Sequence, residues 1–231
     1  MENLLKRYLD MRLTSEPAAS KQGPVVTISR ECGCPSKKLA EILVDRLRQL
    51  DPVKTPHPGT WRWISKELLE EAATDLDVKP KDIDHVFNYE ERSIVDNILA
   101  ASNKSGTYRT DKAIYNALGK VIRVFGENGH VVIVGRAGVA LTRHIPLSIH
   151  IRLIAPIEWR INSIRDMYNL SREASIKMIA VKDENRRKFL EHYLGHPFRI
   201  DVFDLAINCY RYSLDEIADS IIGLMKLRKM T

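Results

Sequence analysis

Three short stretches of this chain carry residues that could do chemistry. The first reads Ser29-Arg30-Glu31-Cys32-Gly33-Cys34-Pro35-Ser36-Lys37-Lys38. It follows the β-branched run Val25-Val26-Thr27-Ile28 and precedes Leu39, Ile42, Leu43, Leu47 and Leu50, apolar positions at helical spacing. A strand, a tight turn and a helix in this order can hold an anion. Backbone N–H groups point at it, and the positive end of the helix favours it. Lys37 and Lys38 add charge. The spacing G-x-x-x-x-G-K-[ST] of an intact phosphate loop is not met, so a plain strand-to-helix turn stands beside the phosphate-binding reading.

The second stretch is Val134-Gly135-Arg136-Ala137-Gly138. Glycine lets a backbone or a ligand come close, and arginine offers a planar fork that matches phosphate. The plainer alternative is a turn with a solvated arginine. The third stretch is residues 157–194. Between Arg160 and Lys188 the basic residues are Arg160, Arg165, Arg172, Lys177, Lys182, Arg186, Arg187 and Lys188, against Asp166, Glu173, Asp183 and Glu184. Most of these suit an ordinary solvated face. A few arginines closing over phosphates would form a lid that excludes water and stabilises charge on a transferring phosphoryl group.

Other chemistries lack their residues. Cys32 and Cys34 form C-x-C with no second cysteine pair, so a zinc site is not expected and no metal ligand is assigned. His192 and His196 have i,i+4 spacing, but Gly195 and Pro197 break the helix they would need. No Ser-His-Asp order or nucleophile elbow is visible. Trp61 and Trp63 suit a core or a pocket wall better than a base-stacking platform.

The elements that must position these stretches alternate. Val25 to Ser29, Trp61 to Ile64, Val131 to Val134, Ile149 to Leu153 and Leu205 to Cys209 read as strands. Between them lie helical stripes: one from Leu39, one opened by Ser65, one over residues 79–103, and one from Asp111 to Phe125. Further stripes begin near Pro156 and Ser171, and a last one follows the capping box Ser213/Glu216. Strands that are apolar on both faces argue for a parallel sheet covered by helices on both sides. In such sheets the ligand binds at the carboxyl ends of the strands, where all three stretches fall. Residues 1–24 read as a short helix and lead-in rather than a domain.

The composition agrees. In 231 residues, 44% are apolar, 29% are charged and the net charge is +6, which excludes a disordered chain. No apolar run approaches a membrane span. Three cysteines give no disulfide framework, and residues 1–24 lack the apolar block of a secretory signal, so a cytoplasmic location is expected. The mild positive charge suits a small phosphorylated ligand better than nucleic acid, for which no motif is present. A homo-oligomer remains open, with the helix at residues 3–12 as one element that could dock on a second copy.

Taken together, Ile28-Ser29-Arg30-Glu31, Ile133-Val134-Gly135-Arg136 and Ile154-Ala155-Pro156-Ile157-Glu158-Trp159-Arg160 resemble the cytidylate kinase-like family, a branch of the P-loop nucleoside monophosphate kinases. Ser65-Lys66-Glu67-Leu68, Asn169-Leu170-Ser171-Arg172-Glu173-Ala174 and the Asp183…Arg186 pair add to the likeness, which runs from about Val25 to Met225. The resemblance implies a three-layer α/β fold with a central parallel sheet, an acceptor-binding insert at about residues 60–110 and a lid at about 157–194. It implies that Ser29, Arg30, Gly33, Cys34, Ser36, Lys37 and Lys38 hold the donor phosphates. It further implies that Arg136, Asp183 and Arg186 meet the acceptor, and that Lys37, Arg136, Arg160 and Arg187 are catalytic. ATP and Mg²⁺ are the implied cofactors, and the implied reaction is phosphoryl transfer to a nucleoside monophosphate or another small acceptor.

The loop departs from the family's pattern. Aligned on Gly33, Pro35 replaces the glycine before the loop lysine, Ser36 stands at the lysine position and Lys38 at that of the Mg²⁺-binding hydroxyl. Pro35 has no N–H to donate. No acid ends the strand Val131–Val134. An active enzyme must recover these functions, with Arg30 or Lys37 in the lysine's place. A catalytically silent nucleotide- or anion-binding regulator need not.

Overall fold

Valine and isoleucine run almost unbroken through β1 (Val25–Arg30) and β3 (Val131–Val134), because helices cover both faces of the sheet they share. In the computed structural model, which describes residues 24–51, 60–65 and 111–231, five strands make one all-parallel sheet. The others are β2 (Arg62–Ile64), β4 (Ser148–Ile154) and β5 (Leu205–Asn208). The spatial order is β2-β3-β1-β4-β5. Val25 therefore pairs with Val131 on one side and Ser148 on the other.

The helices are α1 (Ser36–Leu50), α2 (Asp111–Asn128), α3 (Gly138–Thr142), α4 (Ile157–Tyr168), α5 (Arg172–Leu194) and α6 (Leu214–Leu227). On one sheet face, Val26, Ile28, Val132, Val134, Ile149, Ile151 and Leu153 pack with Leu39, Leu43 and Leu47 of α1 and Ile217, Ile221 and Met225 of α6. Arg46 ties α1 to α6 by ion pairs to Asp215 and Asp219. The opposite face carries Thr27, His150 and Arg152, matched in register as Thr27–His150 and Ser29–Arg152.

The α/β architecture with its parallel sheet and flanking helices is the one expected from the sequence. Helix ends follow local chemistry. The side chain of Ser171 accepts from Ala174 N–H, and Ser213 and Glu216 form the reciprocal capping box. Two elements give no sequence signal long enough to find, α3 and the single 3₁₀ turn Ile200–Val202. The lead-in helix of residues 3–12, the helices expected after Ser65 and over 79–103, and most of the insert at 60–110 lie outside the described residues.

The chain divides into two compact units. Gln22–Lys66 with Ile122–Thr231 make the larger one, which holds the whole sheet. Met1–Lys21 with Glu67–Val121 make the other, of which residues 111–121 are described. Among the described residues no helix is long and apolar enough to cross a membrane.

Candidate functional site

The turn after β1 is built by its own backbone and by three distant elements. Cys34 N–H donates to Glu31 C=O at 3.2 Å and Ser36 N–H to Cys34 C=O at 2.9 Å, so two N–H groups bond within the turn. Gly33 adopts φ +97°, where glycine is at ease. A Cβ there would also meet the backbone of Arg160 at 3.1 Å, so α4 lies directly on the turn. Ser163 Oγ donates to Gly33 C=O at 3.0 Å. Pro35 precedes α1 with no side chain capping the helix and no acid in its first turn, which leaves that end suited to an anion. Ser36 is buried, whereas Lys37 and Lys38 are exposed on the first turn of α1.

Charge gathers around Cys32. Its N–H donates to Asp183 Oδ1 at 2.7 Å. Asp183 Oδ2 accepts from Arg160 Nη1 at 2.6 Å, and Arg186 approaches Asp183 Oδ1 at 3.5 Å. Arg160 also faces Glu31 Oε2 at 3.5 Å and is only 11% exposed. Glu31 in turn accepts from Ala155 N–H at 3.1 Å, joining the end of β4 to the turn. Beneath this, Cys32 packs with Ile161, Ile164 and Ile179, so α4 and α5 share a small apolar core with the turn. Burial pushes the Cys32 thiol above its ordinary range. Cys34 is hydrogen-bonded with Cys209 beyond β5, and that contact together with burial pushes its thiol up too.

The second stretch turns sharply. Gly135, Arg136 and Ala137 all have left-handed φ, at +72°, +56° and +50°. Gly135 N–H donates to Ile28 C=O at 2.9 Å. A Cβ on Gly135 would fall on the Arg30 guanidinium, so only glycine admits Arg30 there. The turn thus holds half-buried Arg136 beside the β1 end in a conformation arginine avoids, the kind of local strain found at functional sites.

Of the residues singled out from sequence, Ser29, Arg30, Gly33, Cys34 and Ser36 sit on β1 or its turn, and Arg160, Asp183 and Arg186 converge there from α4 and α5. Arg136 stands at the neighbouring strand end. Arg187 is not brought to the turn. It lies on the exposed side of α5, paired with Glu184 at 2.6 Å and Glu191 at 2.8 Å. Two groups escaped the sequence reading. Glu31 serves as an anchor rather than a bystander of the turn. Arg152 interrupts the apolar strand Ser148–Ile154 and reaches Ser29 Oγ at 3.4 Å. A charged residue inside an otherwise buried strand was the available signal for it.

The donor set suits phosphate groups better than a protein-held metal. Arginines and the uncapped end of α1 offer cations and N–H groups. β3 ends without an acid, and Glu31 and Asp183 are engaged by Arg160. The described residues contain no group of three or more His, Cys, Asp or Glu placed to hold a metal ion.

Comparison with known proteins gives a family. The model of the cytidylate kinase-like family matches residues 25–210. No curated protein matches. Among solved structures, an uncharacterized protein from Eubacterium ventriosum is similar, with 19% identity, a TM-score of 0.60, and 89% of this chain and 99% of that one covered. Shikimate kinase from Acinetobacter baumannii, in complex with shikimate, has 13% identity, a TM-score of 0.47, and 92% and 98% coverage. Shikimate kinase from Bacteroides thetaiotaomicron has 12% identity, a TM-score of 0.46, and 88% and 98% coverage. The match over β1, its turn, β3, β4, α4 and α5 shows that the chain belongs to the cytidylate kinase-like family.

Proposed function

We propose that this protein binds a nucleotide and transfers a phosphoryl group from ATP to a nucleoside monophosphate, cytidylate-like, or to another small acceptor. The observation that carries this reading is the closure of Arg160, Asp183 and Arg186 onto the turn that joins β1 to α1, at the switch point of a parallel sheet. Phosphoryl transfer asks for alignment and charge neutralisation rather than for a nucleophile on the protein. An oxygen of the acceptor phosphate attacks the γ-phosphorus, the bond to the β-bridging oxygen breaks, and ADP leaves. Arg136, Arg160 and Arg186 are the groups we assign to hold the charged oxygens, with Ser29, Arg30, Gly33, Lys37 and Lys38 around the donor phosphates. Membership in a kinase-like family brings nucleotide and divalent metal use in general terms. In this chain the turn and β3 lack the usual Mg²⁺ ligands, and no step is assigned to the metal.

One observation favours a second reading, a silent nucleotide- or anion-binding regulator. Pro35, Ser36 and Lys38 remove a backbone donor, the loop lysine and the metal-binding hydroxyl from the loop.

The test is turnover of labelled ATP by the full chain against a panel of nucleoside monophosphates. Formation of a diphosphate product, reduced about a hundredfold by Arg136→Ala, is expected. Thermal stabilisation by ATP without Mg²⁺, and no turnover, would favour the silent binder. No stabilisation by any nucleotide rejects both readings.

A further inference from the structure

Arg152 is a charged side chain in the middle of the sheet that no assigned role uses. It occupies the fifth position of β4, on the sheet face away from α1 and α6. Its guanidinium lies over the ring of Phe198 at 4.8 Å and near that of Phe203 at 5.7 Å. Nη1 donates one long hydrogen bond, 3.4 Å, to Ser29 Oγ. Among the described residues no carboxylate comes within ion-pair distance of it.

These contacts leave a half-buried cation underused. A guanidinium has five N–H donors in one plane. Aromatic rings engage its face, and stacking fixes that plane without consuming the donors at its edge. None of its nitrogens is both buried and without a partner, so the donors at its edge stay open to solvent and to a ligand. Burial is the main influence lowering the pKa of Arg152, and the nearby charge of Arg186 works in the same direction. Glu31 and Asp183 oppose this from a distance, but Arg160 already pairs with both. Arg152 reaches Ser29 at the end of β1, and Arg186 reaches Asp183 where it holds Cys32 N–H, so two guanidiniums stand beside the same turn. An oxyanion between them would satisfy the idle donors and relieve the repulsion.

We propose that Arg152 is a ligand-binding residue whose stacked guanidinium, together with Arg186, receives a phosphate group beside the β1 turn. The phosphate's carrier, a nucleotide, rests on the function proposed above. The anion site stands on this geometry alone.

The test uses the full chain with inorganic phosphate and pyrophosphate as probes, at constant ionic strength, read by thermal shift. Saturable stabilisation is expected, weakened at least tenfold in apparent affinity by both Arg152→Met and Arg152→Gln. Methionine keeps an unbranched side chain against the phenyl rings, so at least one variant should fold. Unliganded melting and circular dichroism check this. On the wild type, phenylglyoxal labelling read by peptide mass spectrometry should slow at Arg152 when pyrophosphate is present. Stabilisation that survives in the variants, no stabilisation of the wild type, or labelling at Arg152 indifferent to pyrophosphate overturns the proposal. The same proteins are then given nucleoside monophosphates and ATP. Anion binding lost with Arg152, and no response to any nucleotide, keeps this site and rejects the proposed function. Nucleotide binding that is equal in wild type and variants keeps the function and rejects this site.

Discussion

The carboxylate of Asp183 accepts the backbone N–H of Cys32 at 2.7 Å, across 151 residues of sequence. The turn after β1 thus already holds an anion, supplied by α5, and Arg160 and Arg186 flank it. Asp183→Asn keeps the shape and removes the charge. It should lower stability by about 1–3 kcal/mol, because a mostly buried Arg160 loses its closest ionic partner. Urea unfolding measures this, and a loss under about 0.5 kcal/mol would mean that the ion cluster does not hold α4 and α5 to the turn.

Arg186 and Arg187 are adjacent in sequence and differ in setting. Arg186 faces Asp183 beside the turn, whereas Arg187 spends its donors on Glu184 and Glu191 at the surface. Arg186→Ala should reduce kcat/KM for phosphoryl transfer at least tenfold. Arg187→Ala should change it little and leave the melting temperature nearly unchanged, because exposed pairs contribute little. Equal losses in both variants would refute this division.

Gly135→Ala combines a left-handed φ of +72° with a collision against Arg30. A loss of about 1–3 kcal/mol is expected. Activity should fall further than stability accounts for, since Arg30 must vacate its place. Truncating that side chain as well, in Gly135→Ala/Arg30→Ala, should recover part of the stability but none of the activity, and absence of any recovery would count against the collision.

His150 gives a pH dependence of folding. Its Nδ1 and Nε2 lie 2.9 Å from Thr27 Oγ1 and 3.1 Å from Ser148 Oγ, in the interior. Burial above all, and also the charge of Arg228, pull its pKa down from 6.5 to about 4, against the opposing pull of Asp204. Between those values the unfolded chain binds a proton that the folded chain refuses. This contribution to stability is therefore complete above pH 6.5 and lost as pH falls toward 4, by roughly 3 kcal/mol. Unfolding free energies of wild type and His150→Gln should have different slopes in that window and parallel slopes above pH 7.

The thiols Cys32, Cys34 and Cys209 are all buried, and the first two are pushed toward the protonated form. A thiol reagent should modify the native protein only at the rate of unfolding, and all three cysteines promptly in denaturant. Fast native labelling of Cys32 would show that α4 and α5 leave the turn readily.

Much of this was legible in the chain, for identifiable reasons. The continuous apolar run Val131–Val134 and the stripe Leu39, Leu43, Leu47 are local signals of burial, and the sheet follows from them. Ser171 and Ser213 announce helix starts because capping is chemistry between neighbours in sequence. The site was half legible. Arg160, Asp183 and Arg186 carried family positions, but their mutual pairing on Cys32 N–H is a contact across the fold. Arg187 could not be told from Arg186, because a helix as polar as α5 shows no clear inner face. The charge of Arg152 inside its strand was a signal, but its setting was not legible, because its aromatic partners, Phe198 and Phe203, lie in an irregular segment some 50 residues away.

The position of β1 has a cost during synthesis. Val25 must pair with Val131 and Ser148, so the central strand is made long before either of its neighbours. At ribosomal rates of about 5–20 residues per second, the 106 residues from 25 to 131 take roughly 5–20 s. For that interval an unpaired, doubly apolar segment waits with neither neighbour, open to the same edge-to-edge pairing with other chains that leads to aggregates. The nascent chain thus carries its most pairing-prone segment unshielded until the middle of the sheet can close.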